Sequence, residues 1–188
     1  MSSYYRKTKK GQFKREKYSR QCISDFNEIT LADTTSGGVT TPHSQQVSGS
    51  IIPSTTVQGQ RKVKNMSIDL AVGNTHVSGG TEEENGDYST PVLFAVVYHP
   101  EGTQINEMTT SHLTSSGVLT QSYVPEQNII FMRMLSPVEG SIHCQIPLSR
   151  NINAGDSIDL IVYHPLSHSH GSTLKFNFGY SFQYSIAY

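Results

Sequence analysis

Tryptophan is absent from the 188 residues, cysteine occurs twice, and charged side chains make up only 15% of the chain. So low a charged fraction, beside 35% hydrophobic residues, excludes both a coiled coil and a fully disordered chain. Cys22 and Cys144 are far apart, which gives no disulfide framework and points to synthesis in a reducing compartment. The longest apolar run, 92–98, is seven residues, too short to cross a bilayer as a helix, so no membrane insertion is expected. No apolar stretch follows the charged start, so no secretory signal is expected, and the sequon Asn65-Met66-Ser67 is read as a chance match inside a strand. There is no glycine-rich phosphate loop, nucleophile elbow or His-Glu metal helix. Serine and histidine are plentiful, but abundance does not make a triad. No catalytic residue, metal site or cofactor is assigned, and the chain is not expected to be an enzyme.

What the chain has is charge sorted by position. Residues 1–20 hold Arg6, Lys7, Lys9, Lys10, Lys14, Arg15, Lys17 and Arg20, eight of the fourteen basic residues, against one acid, Glu16, a net +7. The other residues carry six basic and fourteen acidic side chains, a net −8. A leader this charged and this poor in aliphatics cannot bury enough surface to fold alone, so residues 1–22 are expected to form a flexible arm. Cations on a mobile segment neutralise phosphates without fixed register, and segregation of this kind is the electrostatic footprint of nucleic-acid binding. Tyr4, Tyr5, Phe13 and Tyr18 are interleaved with the charges, and bases of a single strand stack on such rings at about 1–3 kcal/mol each. Arg61, Lys62 and Lys64, at the junction with the following domain, are candidates for the same role; a charged edge strand that resists aggregation explains them equally well.

Residues 23–60 are rich in Ser, Thr, Gly and Gln and read as a linker with one weak strand near 47–52 or 55–58. From Arg61 the period is 2. Met66, Ile68, Leu70 and Val72 alternate with polar residues, as do Ile142, Cys144, Ile146 and Leu148, and Ile158, Leu160 and Val162. The run 92–98 is continuously apolar, as in a strand buried on both faces, and 129–135 is another strand candidate. Leu174, Phe176, Phe178, Tyr180, Phe182, Tyr184, Ile186 and Tyr188 share one face, over a stretch of about 50 Å that Gly179 is expected to divide by a bulge. With a short strand near 118–123, a turn or two of helix over 105–112 and long polar loops at 73–90, 101–117 and 165–173, about eight strands emerge. The pattern predicts an all-β fold, a single eight-stranded antiparallel jelly roll (β-sandwich) over 61–188 behind the arm.

Three smaller features carry alternatives. Asn151-Ile152-Asn153-Ala154-Gly155-Asp156 supplies turn chemistry before a strand, with a subunit contact as the functional version and Arg150 as a partner for an acid across an interface. His164, His168 and His170 lie close together without a nearby fourth ligand, and Glu82, Glu83, Glu84 and Asp87 lack the alternating spacing of a calcium loop, so a serine-rich loop and a solvated acidic loop are the preferred readings. Val96-Val97-Tyr98-His99-Pro100 and Ile161-Val162-Tyr163-His164-Pro165 end two strands alike, without implying a duplicated domain.

Several blocks together resemble capsid proteins of small circular, replication-initiator-encoding single-stranded DNA viruses, the circovirus-like group. They are Arg61-Lys62-Val63-Lys64-Asn65, Phe94-Ala95-Val96-Val97-Tyr98-His99-Pro100-Glu101-Gly102-Thr103, Tyr123-Val124-Pro125-Glu126-Gln127-Asn128-Ile129-Ile130 and Pro147-Leu148-Ser149-Arg150-Asn151-Ile152-Asn153-Ala154-Gly155-Asp156-Ser157-Ile158, followed by an aromatic-rich last strand. The resemblance covers residues 61–188 and adds a basic arm of the expected kind. Phe94 stands where it would place Trp. It implies a jelly roll, self-assembly into an icosahedral shell of about 60 copies (T=1), packaging of a single-stranded DNA genome by the arm, and location in the virion and, during assembly, in the host nucleus. A nuclear localisation signal in the same basic residues would engage host import receptors, and a cell-surface receptor is a further expected partner. The alternative is a soluble jelly-roll module, lectin-like or cytokine-like, binding a ligand at its loop tips.

Overall fold

The described residues form eleven strands and no α-helix, with one 3-10 turn at Pro137–Glu139; the longest strands follow the apolar–polar alternation of the sequence. The computed structural model describes residues 17–32, 34–36, 39–41, 46–79, 85–102, 128–164 and 173–187. In chain order the strands are β1 (Ser19–Ala32), β2 (Thr34–Ser36), β3 (Val39–Thr41), β4 (Gln46–Ile52), β5 (Arg61–Ser78), β6 (Gly86–Tyr88), β7 (Val92–His99), β8 (Ile129–Leu135), β9 (Ser141–Ile152), β10 (Ser157–Tyr163) and β11 (Thr173–Ala187).

The long strands form two antiparallel sheets. In the first, β1 pairs with β11, β11 with β5, and β5 with β9 along its first half and β6 along its second. In the second the order is β4-β10-β7-β8, and β2 and β3 make a separate small hairpin. Setting aside the three-residue strands β2, β3 and β6, the eight remaining strands, counted in chain order, lie first–eighth–third–sixth in one sheet and second–seventh–fourth–fifth in the other. That interleaving, with the chain crossing repeatedly between sheets, is the jelly-roll arrangement.

The core fills the space between the sheets. β11 supplies Leu174, Phe176, Phe178, Phe182, Tyr184 and Ile186 from one face, as the alternation predicts, and they meet Phe94, Val96, Leu160 and Val162 of the facing sheet. Phe94 and Phe178 cross the gap with ring centroids 5.9 Å apart, and Phe176, Phe178, Tyr180 and Phe182 form a continuous aromatic row along β11. Burial pushes the Tyr180 hydroxyl pKa up, with the nearby Asp25 adding to the shift. β7 and β10 are buried on both faces: Leu93, Ala95, Val97, Ile161 and Tyr163 form a second apolar cluster on the side turned away from the main core. That is why 92–98 reads as an unbroken apolar run. The two Tyr-His-Pro strand ends belong to these two neighbours but present opposite faces, since Tyr98 packs on the main core and Tyr163 belongs to the second cluster.

Three expectations need correction. The arm does not reach residue 22 and residues 23–60 are more than a linker: the weak strand expected near 47–52 is present as β4, and β1 occupies Ser19–Ala32 and runs beside β11 for fourteen paired residues. Its inward residues are sparse, with only Ile29 and Leu31 buried and Ile23 partly so. Backbone pairing rather than apolar burial therefore holds its first half, and hydropathy does not reveal it. The loop expected over 73–90 is shorter, because β5 continues to Ser78 and β6 follows. Gly179 does not break β11; the irregularities lie on its partner β5, at Gly73-Asn74 opposite Asn177 and near Asn65. At Gly179 the Phe26 ring of β1 lies over the glycine, where an added Cβ would come within 3.3 Å of it. The expected strand at 118–123, the helix at 105–112 and Tyr188 lie outside the described residues.

Candidate nucleic-acid interface

The register of the first sheet places its outward residues in rows. One row contains Arg20 of β1, Ser185 of β11, Lys64 of β5 and Ser149 of β9. On one side of it, Lys62 lies between Ala187 and Asn151; on the other are Cys22, Gln183, Ser67 and Gln145, then Ser24, Ser181, Asp69 and His143. The rows nearest the chain's entry thus carry Arg20, Lys62 and Lys64 and no acid, and the first acid, Asp69, is held by His143 Nδ1 at 2.7 Å. Lys17 and Arg20 are exposed. Lys64 Nζ sits 4.7 Å over the Tyr18 ring, which fixes the start of β1 against β5 on this face.

Of the fifteen residues assigned from sequence to nucleic-acid binding, Tyr4, Tyr5, Arg6, Lys7, Lys9, Lys10, Phe13, Lys14 and Arg15 lie outside the described residues. Tyr18, Arg20, Lys62 and Lys64 come together at one end of the outward face, and the exposed Lys17 precedes them in the chain. Arg61 does not. Its inward position leaves it 6% exposed, with Nη1 donating to the Pro53 carbonyl at 2.8 Å and Nη2 to the Asp156 carbonyl at 3.0 Å. A buried guanidinium committed to two backbone carbonyls is a structural clamp, and the junction reading fails for Arg61 because alternation along β5 turns it inward while Lys62 and Lys64 turn outward.

Arg61 belongs to a polar knot around the 153–156 turn. Asp156, 4% exposed, accepts from the Tyr98 hydroxyl, from the Asn153 amide at 2.9 Å and from the Glu101 amide at 3.0 Å. Burial alone would raise the Asp156 pKa, but these hydrogen bonds outweigh it and hold the carboxyl below its ordinary value. Tyr98 is pushed up to about 12 by burial and by the carboxylate it donates to, with the Arg150 charge acting the other way. Arg150 lies 3.8 Å over the Tyr98 ring, so within its own chain it already has an aromatic partner. Gly155 adopts φ +84° with Glu101 packed against it, which only glycine accommodates. The turn thus has the structural role.

The other sequence candidates are placed as follows. His164 is fully buried, bonded to Thr75 Oγ1 at 2.8 Å and packed on Phe176; His168 and His170 lie outside the described residues. Asp87 pairs with His76 at 2.9 Å, and Glu82, Glu83 and Glu84 lie outside the described residues. Among the described residues no group of three potential metal ligands occurs.

Sequence reasoning missed a cleft in the same face. Around Asn65 the ladder opens on both sides: β5 has one residue more than β11 between the pairs Lys64–Ser185 and Ser67–Gln183, and β9 has one more than β5 between Ser149 and Ile146. Asn65 takes φ +52°, a left-handed conformation that asparagine tolerates, and Pro147, which has no N–H to pair, sits opposite the opening. The result is a cleft of about 440 Å³ lined by Arg20, Asn65, Ser67, Gln145 and Pro147 over Met66 and Ile146. The signal in the sequence is a phase slip, because inward residues run 61, 63, then 66, 68, 70 and 72.

No family model matches the chain, and no curated protein matches it. Among solved structures, the chain is similar to a CocE/NonD family hydrolase from Staphylococcus aureus (12% identity, TM-score 0.36, 93% of this chain and 37% of that one). It is also similar to infectious bursal disease virus Gt strain (8% identity, TM-score 0.19, 86% and 39%) and to the infectious bursal disease virus VP2 subviral particle (12% identity, TM-score 0.19, 90% and 41%). The chain spans about two fifths of the length of each of these proteins. At TM-scores this low the likenesses speak to neither family nor activity.

Proposed function

We propose that this chain is a structural coat protein that self-assembles into a closed icosahedral shell, T=1 with 60 copies, and packages single-stranded DNA through its basic N-terminal arm. The observation that carries the reading is the charge division, +7 over residues 1–20 against −8 over the remainder. The position of Arg20, Lys62 and Lys64 supports it, because the arm's cations continue onto the outward face of the sheet where the arm enters. The jelly roll supports it as a two-sheet unit that can serve as a tile, and the sequence blocks that resemble circovirus-like capsid proteins support the DNA genome and the shell size. On this reading the protein resides in the virion and, during assembly, in the host nucleus. No reaction is assigned to it. Sixty arms would bring about 420 positive charges, fewer than the phosphates of a genome of about a thousand nucleotides, so Lys62, Lys64 and added counterions would supply part of the remainder.

The test is electron microscopy and size-exclusion chromatography of the full chain beside a variant lacking residues 2–16, a deletion that spares β1. The full chain is expected to form closed particles containing DNA, and the variant to fold and lose most of that DNA. A small species that persists at every salt and pH, with or without DNA, would overturn the proposal.

A further inference from the structure

The cleft at the Asn65 bulge gathers polar groups that the fold does not use. Arg20, Asn65, Ser67 and Gln145 make no side-chain hydrogen bond or ion pair among the described residues, although all four line one depression. The lining includes one cation and no acid, and Lys64 stands in the same row as Arg20. Its volume of about 440 Å³ falls within the range of small-ligand sites, about 300–1,000 Å³.

These groups match the parts of a nucleotide. A guanidinium is a planar fork of donors suited to phosphate oxygens. Two carboxamides and a hydroxyl offer both donors and acceptors, as the edge of a nucleobase requires. The exposed Pro147 ring presents a flat apolar surface to a base or sugar. A base whose edge meets Asn65 and Gln145 must be unpaired, which selects a single strand over a duplex. Arg20 lies three residues beyond Lys17, so a strand held by the arm arrives at the mouth of the cleft.

We infer that this cleft is a nucleotide subsite of the folded body, with phosphate on Arg20 and an unpaired base against Asn65, Ser67 and Gln145. It rests on the coat-protein reading and adds to it a second point of contact, separate from the arm.

The experiment measures binding of 5′-deoxyadenylate and of inorganic phosphate to the full-length chain, and in parallel the DNA content of its particles. Deoxyadenylate should bind at least about ten-fold tighter than phosphate. Gln145→Ala, on the exposed side of edge strand β9, should weaken deoxyadenylate about ten-fold and leave phosphate unchanged. Arg20→Gln should weaken both, while the arm variant Lys9→Gln/Lys10→Gln should leave deoxyadenylate within about two-fold, as expected for independent sites. Equal affinity for the two probes, or deoxyadenylate binding that follows the arm variant rather than Gln145→Ala, overturns the inference. If particles still fill with DNA in that case, the coat reading stands without the subsite; if the full chain neither binds deoxyadenylate nor retains DNA, both fall.

Discussion

The Asp156 side chain accepts three hydrogen bonds, and its removal gives a quantitative test of the fold. Its carboxylate accepts from the Tyr98 hydroxyl and from the Asn153 and Glu101 amides, while its carbonyl receives Arg61. Hydrogen bonds to a charged acceptor contribute about 1.5–3 kcal/mol each, and orphaned donors add a desolvation penalty, offset where water enters. Asp156→Ala should therefore cost about 4 kcal/mol. With a urea slope of about 2 kcal/mol per molar, the midpoint should fall by about 2 M. Asp156→Asn keeps one acceptor oxygen and should lose about half as much. The pH dependence has a definite sign. Because the folded pKa of Asp156 is depressed, its contribution is complete above the ordinary value of 3.8 and is lost as pH falls below it through the folded value. The gap between wild type and Asp156→Asn should be flat near neutrality and close in strong acid. Tyr98 acts at the other end: its raised pKa gives a contribution present below pH 10 and lost as pH rises through about 12. Urea titrations followed by far-ultraviolet circular dichroism across this range provide the assay. A midpoint for Asp156→Ala within about 0.3 M of wild type, or a gap that persists unchanged at the lowest pH, would refute the reasoning.

Other outcomes follow from named contacts. Phe178→Ala, which removes the ring that meets Phe94 across the sheets, should cost about 3–5 kcal/mol in the same titration, and Phe178→Leu clearly less. Asn65→Val should destabilise by about 1–2 kcal/mol because a β-branched residue resists φ +52°, whereas Asn65→Gly should be near neutral; equal effects would disprove the bulge. Arg61→Met should lower stability by about 2–4 kcal/mol through the loss of two charge-assisted hydrogen bonds, one buried and one part-buried, while leaving DNA retention per folded molecule unchanged in a filter-binding assay.

The parts of the fold that were legible in the sequence are those where burial alone dictates residue type. β7 shows itself as an unbroken apolar run because both its faces are covered, and β11 as seven alternating apolar positions from Leu174 to Ile186; β8, buried only at Leu135, shows itself by its apolar composition. β1 was hidden because an edge strand can be held by its ladder with few inward apolar residues, and Ser24, Asp25 and Asn27 read as linker. The alternation over 66–72 does not show the bulges; followed back to Val63 and forward to Thr75 it slips twice, each time at an asparagine. Charge position located Arg20, Lys62 and Lys64, but the face each residue takes depends on register, and that separates Arg61 from its neighbours. Gln145 and Pro147 could not be joined to Arg20 by sequence, because only the pairing of β9 with β5 and of β1 with β11 brings these segments to one cleft.

The most direct test of the account is the salt dependence of single-stranded DNA binding by the full-length chain. For single strands the logarithm of the binding constant falls with the logarithm of salt at about −0.7 per phosphate neutralised, so engagement of most of the eight cations in residues 1–20 predicts a slope of about −4 to −6. Deleting residues 2–16, which hold six of those cations, should flatten it by about 4. A slope near zero for the full chain, or one that the deletion leaves unchanged, would contradict the assignment of the polyanion grip to the arm.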